Sequence, residues 1–235
     1  MINITTISDT HGKHHLLDVG SGDLIIHAGD CTPRGSKEDI EEFLRWYGDL
    51  DFEMKILIPG NHDFDFERNP EIWHELCKNY GVVLLNDSGV KFSGLHIWGS
   101  PVQPWFHNWA FNRMRSEAMA TVSHPYIGTH WDKIPKNTDI LITHGPPEGI
   151  LDVTTRGQES VGCEILKKKI EDIRPVLHVF GHIHEERGII VDRVGPTPIT
   201  YVNASSLDLQ YRPYKEKAFK FDWNDLIIGQ SHGEE

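Results

Sequence analysis

Cysteine is scarce in this chain: Cys31, Cys77 and Cys163 are the only three in 235 residues. An odd number at scattered spacing excludes a disulfide framework and fits thiols kept reduced. Long apolar runs are missing, so no segment reads as a bilayer span. The opening stretch, MINITTISDTHG, has neither a basic start nor an apolar core, which argues against a secretory signal. Positive charge is in deficit, with 23 Lys and Arg against 35 Asp and Glu and a net charge of -12. A protein that grips long nucleic acid carries a basic stripe, because its affinity comes largely from neutralised phosphates. The one basic cluster, KKK at 167–169, reads as the solvated face of a helix. The expectation is a soluble cytoplasmic protein with no membrane and no long nucleic acid as partner. A small phosphorylated partner stays open, since bound metal ions can dominate the local charge. Repeats, linkers and low-complexity segments are absent too, so 1–235 reads as one domain.

What is present alternates. INITTIS is rich in β-branched residues and reads as a first strand, and DLIIHAGD as a second. SKEDIEEFLRWYGDL is a helix with Ser36 and Asp39 at capping-box spacing; Ile40, Phe43, Leu44 and Tyr47 form its apolar face. MKILIPGNHD is a third strand. NPEIWHELCKNYG is a helix with Asn69 as N-cap, Pro70 at its first position and Gly81 past its end. Short strands follow in VVLLND, GVKFSG and LHIWGSP. VQPWFHNWAFNRMRS suits a long loop plus a short helix. Beyond it come strand DILITHGPP, helix SVGCEILKKKIEDIRP, strand VLHVFGHIH, and strands GIIVDRV, PITYVNAS and KAFKFDW. Two packed mixed sheets with helices outside, a four-layer αββα sandwich, is the economical architecture.

Five strand ends carry Asp, His or Asn beside glycine: SDTHG, GDC, GNHD, THGPP and GHIH. Ligands of α/β sheets gather at the carboxyl ends of strands. Imidazole nitrogen with carboxylate or amide oxygen is also the donor set of a borderline divalent metal. Each fragment alone is ordinary turn chemistry. Five of them, each aimed at one sheet edge, make accident a poor account.

The ordered set D-x-H, GD, GNH[DE], H and GHxH resembles the calcineurin-like metallophosphoesterase superfamily. WGSPVQPWFHNWAFN, IPKNTDILITHGPPEGILD and RPVLHVFGHIHEERG extend the likeness to its class III cyclic-nucleotide phosphodiesterase-like branch, over nearly the whole chain. The resemblance implies two divalent metal ions, with Mn first and Fe, Zn, Co, Ni or Mg as alternatives. Asp9, His11 and His184 would bind one ion, and Asn61, His144 and His182 the other, with Asp30 bridging. Some relatives lack the first histidine of GHxH; His182 is present here.

The chemistry so implied is hydrolysis of a small, nucleotide-like phosphoester by in-line attack of a metal-bridging hydroxide. Two ions, two aspartates and one hydroxide leave a site near plus one, which suits a phosphodiester monoanion. His62 would stay off the metals as general acid or cationic stabiliser, with Asp63 orienting it. The segment at about 99–135 would supply the substrate wall: Trp105, Phe106, Trp109 and Phe111 to stack on a base, with Asn112 and Arg156 as polar contacts. His27 beside AGD is a candidate support for the ligands. A phosphomonoester or phosphoprotein phosphatase would need an open groove. A non-catalytic interaction module tends to lose ligands, and none is missing.

Overall fold

The computed structural model describes residues 1–216 and 218–231. Along the chain, β1 (Asn3–Ile7), β2 (Gly22–His27), α1 (Lys37–Gly48), β3 (Phe52–Leu57), α2 (Phe64–Arg68), α3 (Pro70–Asn79) and β4 (Val83–Leu84) form the first half. Next come β5 (Ser88–Phe92), β6 (Leu95–Ser100), β7 (Gln103–Pro104), β8 (Asn112–Arg113), α4 (Gly128–Trp131), β9 (Ile140–Thr143), β10 (Val153–Thr154) and β11 (Glu159–Ser160). The chain continues with α5 (Glu164–Ile173), β12 (Leu177–Phe180), β13 (Gly188–Asp192), β14 (Ile199–Asn203), β15 (Phe219–Asp222) and α6 (Trp223–Ser231).

One sheet has five strands in the order β15-β1-β2-β3-β4, and the other six in the order β13-β14-β12-β9-β6-β5. The inner strands of both are parallel, and β15, β13 and β5 run antiparallel at the edges. Alternation along the strands decides the layers. On β2, Leu24 and Ile26 point inward and meet Ile97, Ile140, Ile142, Val179 and Val202 of the other sheet. Ile25 points outward, to Phe43 and Tyr47 of α1 and Trp73 of α3. Leu141 and Phe180 face outward on the second sheet, against Leu166 and Ile170 of α5 and Trp131 of α4. These contacts stack the chain as helix, sheet, sheet and helix, the αββα sandwich expected.

The expected helix signals act locally. Ser36 Oγ accepts the Asp39 backbone N–H at 3.1 Å, and Ile40, Phe43, Leu44 and Tyr47 are all buried. Asn69 sits at the N-cap of α3 ahead of Pro70, but its side chain makes no capping bond and donates to Asp65 instead. Between residues 101 and 116 no helix forms; the segment makes the short parallel pair β7–β8. No helix among the described residues is long and apolar enough to cross a membrane.

Candidate metal centre

The parallel strands β1, β2, β3, β9 and β12 all end on one edge of the sandwich. The turns beyond them carry Asp9, Asp30, Asn61, His144 and His182. A parallel bridge between Ser8 and Ser205 joins the two sheets at this edge. Four of the site residues have left-handed backbones: Asp9 at φ 53°, His11 at 43°, Asp30 at 55° and His182 at 71°. Non-glycine residues rarely adopt that region, and such strain concentrates at functional sites. Glycines clear the space around the ligands. A Cβ at Gly60 would overlap Asp30 Oδ1, one at Gly181 would overlap Asp9 Oδ2, and one at Gly29 would overlap the His144 ring.

Three overlapping donor groups share this edge, one of them His11, Asp30 and His62. Asp9, His11 and His184 converge in the second, and Asp30, His144 and His182 in the third. His11 Nε2 lies 3.2 Å from His184 Nε2, and His184 Nε2 lies 3.6 Å from Asp9 Oδ1. Asn61 Oδ1 is 2.9 Å from His144 Nε2, which is 3.5 Å from Asp30 Oδ1. The other Asp30 oxygen faces His11 Nε2 at 3.8 Å, so this carboxylate looks into both of these last two groups. Backbone and hydroxyl donors hold the carboxylates in place. His182 N–H donates to both oxygens of Asp9, Ser205 Oγ donates to Asp9 Oδ2 at 2.9 Å, and His62 N–H donates to Asp30 Oδ1 at 2.8 Å.

Electrostatics fit a cation. Burial pushes His11 down to about 4 and His182 down to about 3, so both imidazoles are neutral and free to ligate at pH 7. Burial also opposes the charges of Asp30 and His144. Their mutual attraction outweighs it, holding Asp30 well below the carboxylate range and raising His144 to about 9. Neutral imidazoles and two buried carboxylates around one space are the donors a divalent metal takes in place of a proton. The residues present therefore fit a two-metal centre.

His62, of the first group, has its side chain 17% exposed, with Nε2 3.9 Å from Asp30 Oδ2. Its Nδ1 lies 2.7 Å from the Pro33 carbonyl, and Trp109 stacks on its ring at 4.3 Å between centroids. Phe106 packs against His182 at 5.2 Å, so the aromatic segment lies over His62 and His182. Ala110 N–H ties this segment to the Asn61 carbonyl. A cavity of about 470 Å³ is lined by His182 together with Trp105, Phe106, Pro146 and Ile183.

Several expected roles move. Asp63 is fully buried and points away from the His62 ring. Its carboxylate accepts from the N–H groups of Gly60, Cys31 and Thr32 and from Thr32 Oγ1, so it anchors the loop, and Pro33 orients His62. Phe111 is buried in the core beside α1 and α3 and offers no face to a ligand. Asn112 is buried, and its amide donates to the Phe106 and His107 carbonyls, stapling the aromatic loop. Arg156 is exposed and does not line the cavity; Arg115 does. His27 lies behind the site, fully buried, with Nε2 3.0 Å from Thr10 Oγ1. Two residues carried no sequence signal. Ser205 arrives from the end of β14. Tyr211 arrives from a turn at φ 57°, held by Lys13 Nζ on its carbonyl, and sets its ring 5.0 Å from His11 and 5.6 Å from His184.

Comparison with known proteins gives the same picture. The calcineurin-like phosphoesterase family model matches residues 2–186. Metallophosphoesterase domain-containing protein 1 of Homo sapiens is 38% identical over 88% of this chain and 67% of its own length. A UPF0046 protein of Caenorhabditis elegans is 34% identical over 90% of this chain and 73% of its own. Among solved structures, TT1561 of Thermus thermophilus shares the fold with a TM-score of 0.53 at 16% identity, covering 94% of this chain and 98% of that one. With its ligand-bearing strand ends, its αββα layers and these relatives, the chain belongs to the calcineurin-like phosphoesterase family.

Proposed function

We propose that this metallophosphoesterase hydrolyses small phosphodiesters, cyclic nucleotides among them, at a centre held by Asp9, His11, Asp30, Asn61, His144, His182 and His184. The observation that carries the reading is the cavity lined by the metal-ligand candidate His182 together with Trp105 and Phe106. Its volume of about 470 Å³ suits one small ligand, not a polypeptide lying in a groove.

Two divalent ions, when bound, supply a Lewis-acid clamp on phosphoryl oxygens and a water deprotonable near neutral pH. Mn²⁺ is the proposed ion. Asp9 and Asp30 are the only carboxylates among the seven ligands, so the ions stay half neutralised and attract an anionic diester. Pro33 accepts from His62 Nδ1–H, which directs Nε2 toward the centre. The imidazolium form of His62 donates from Nε2 to a phosphoryl oxygen or to the departing alkoxide. Trp109 fixes the plane of that ring, and Trp105 and Phe106 exclude water from the organic part of the substrate. Buried, unpaired Cys31, Cys77 and Cys163 suit a reducing cytoplasm.

The test is turnover of metal-stripped protein reconstituted with Mn²⁺. Substrates are bis-p-nitrophenyl phosphate, 2′,3′- and 3′,5′-cyclic nucleotides and p-nitrophenyl phosphate, with Asp30→Ala as the blank. Faster metal-dependent hydrolysis of diesters than of the monoester, abolished in the blank, is expected. A monoester preference, or no metal-dependent turnover, would overturn the diesterase reading.

A further inference from the structure

The polar side chains that line the cavity beside His182 are mostly engaged within the chain. Arg115 Nη1 donates to the Gly162 carbonyl and the Glu164 carboxylate, and Nη2 to the Val161 carbonyl. Ser160 Oγ is bonded to Asp152. Gln103 is sealed at 1% exposure; its Nε2 points back to Ala110 and Asn112, and its Oε1, though without a partner, is buried away from a ligand. The Thr154 hydroxyl can donate or accept, so it selects no particular edge.

Glu185 differs. It follows the metal-ligand candidate His184 directly and lines the same cavity. Its Oε1 accepts from Thr155 N–H at 2.8 Å and from Thr155 Oγ1–H at 3.1 Å, which fixes the carboxylate. Its Oε2 has no hydrogen bond among the described residues. A fixed carboxylate oxygen accepts and never donates. Beside the Pro104, Trp105, Phe106 and Pro146 side chains of this cavity it therefore selects a ligand edge made of N–H groups.

We propose that Glu185 is the specificity-determining residue of this cavity and that it selects a guanine edge. The inference rests on the function proposed above, with the ligand phosphate at the metal centre and its base in the cavity. Guanine presents adjacent N1–H and N2–H₂ donors. Hypoxanthine keeps N1–H but lacks the amine. Adenine donates only from N6–H₂ and sets beside it a lone pair at N1, which the carboxylate repels. Hydrogen bonds to a charged acceptor separate such ligands by roughly 10- to 100-fold in affinity.

The experiment titrates the Mn²⁺-loaded full chain with the 5′-monophosphates of guanosine, inosine and adenosine, reading Kd by calorimetry. The wild type is expected to bind GMP at least about tenfold more tightly than IMP or AMP. Glu185→Gln retains an acceptor for Thr155 and is expected to collapse that ratio to within about twofold, because its amide now donates toward the base. A general loss from a loosened loop would weaken all three nucleotides together and leave the ratio in place. Equal affinities in the wild type, a ratio that survives in Glu185→Gln, or no binding of any nucleotide would overturn the proposal. Bis-p-nitrophenyl phosphate carries no base, so wild-type turnover of it reports on the function separately. Turnover without guanine selectivity overturns this inference and keeps the function, and selectivity without turnover does the reverse.

Discussion

His62 sits at the rim of the metal centre with Nδ1 on Pro33 O and its ring under Trp109. It is absent from the ligand set proposed above, so His62→Ala should retain both metal equivalents. Loss of a general acid costs about 10²- to 10⁴-fold in turnover. Metal content by atomic emission together with kcat checks this, and wild-type turnover in the variant would remove His62 from the reaction. Gly181 makes the opposite prediction. A Cβ there overlaps Asp9 Oδ2 and Ser8 Oγ, so Gly181→Ala must shift the carboxylate or the strand end. Overpacking of this kind costs about 1–3 kcal/mol. The variant should melt earlier and bind less metal, and an unchanged metal stoichiometry would count against the crowding. Individually the site residues were hardly legible in sequence, because D-x-H or GD alone is ordinary turn chemistry. Their order along the chain made them legible. Ser205 and Tyr211 lacked such a signal, since each reaches the site from a segment whose neighbours in sequence carry no ligand. Glu185 adjoins a ligand, but only the fold places it on the cavity wall.

The helices and core strands were legible because their causes are local. Ser36 caps α1, the apolar face repeats at helical spacing, and alternation marks β2. The aromatic segment was not, because long-range pairing organises it: β7 pairs with β8, and Arg113 bridges outward to Glu67 and His130. Asp87 is the centre of that bridge. Its carboxylate holds His130 Nδ1 at 2.5 Å, Lys133 Nζ at 3.0 Å and Ser100 Oγ at 2.6 Å. Burial works against the charge, but hydrogen bonds from His130 and Ser100 hold Asp87 down to about 2. A depressed carboxylate stabilises the fold above its unfolded pKa, and that contribution is lost as pH falls through the folded one. Asp87→Asn should therefore cost about 2 kcal/mol at pH 7, and the gap to the wild type should close between pH 4 and pH 2. Urea denaturation across that range measures it, and a gap independent of pH would show that charge is not the cause. Because Arg113 adjoins Asn112, which staples the aromatic loop, the same variant should also raise KM more than it lowers kcat.

At the scale of the whole molecule, two sheets meet at an edge where neither alone completes a site. Asp9, His11, Asp30 and Asn61 come from turns of the five-stranded sheet, and His144, His182 and His184 from turns of the six-stranded one. Two of the three donor groups mix the two sheets, since His184 joins Asp9 and His11, and His144 and His182 join Asp30. Metal bound there is a cross-link between the halves of the sandwich. Only the folded chain brings these ligands together, so binding free energy adds to folding free energy. At a free metal concentration 1,000 times Kd the increment is about 4 kcal/mol. For a domain of this size that corresponds to about 8–16 °C in Tm. Chelation should lower the melting temperature by that order, and Mn²⁺ should restore it. Asp30→Ala, which removes the carboxylate facing both groups, should melt at one temperature with or without Mn²⁺. A wild-type protein insensitive to chelator would mean that the interface between Ile26 and Ile142 holds the sheets together unaided and that the ligands contribute to chemistry alone.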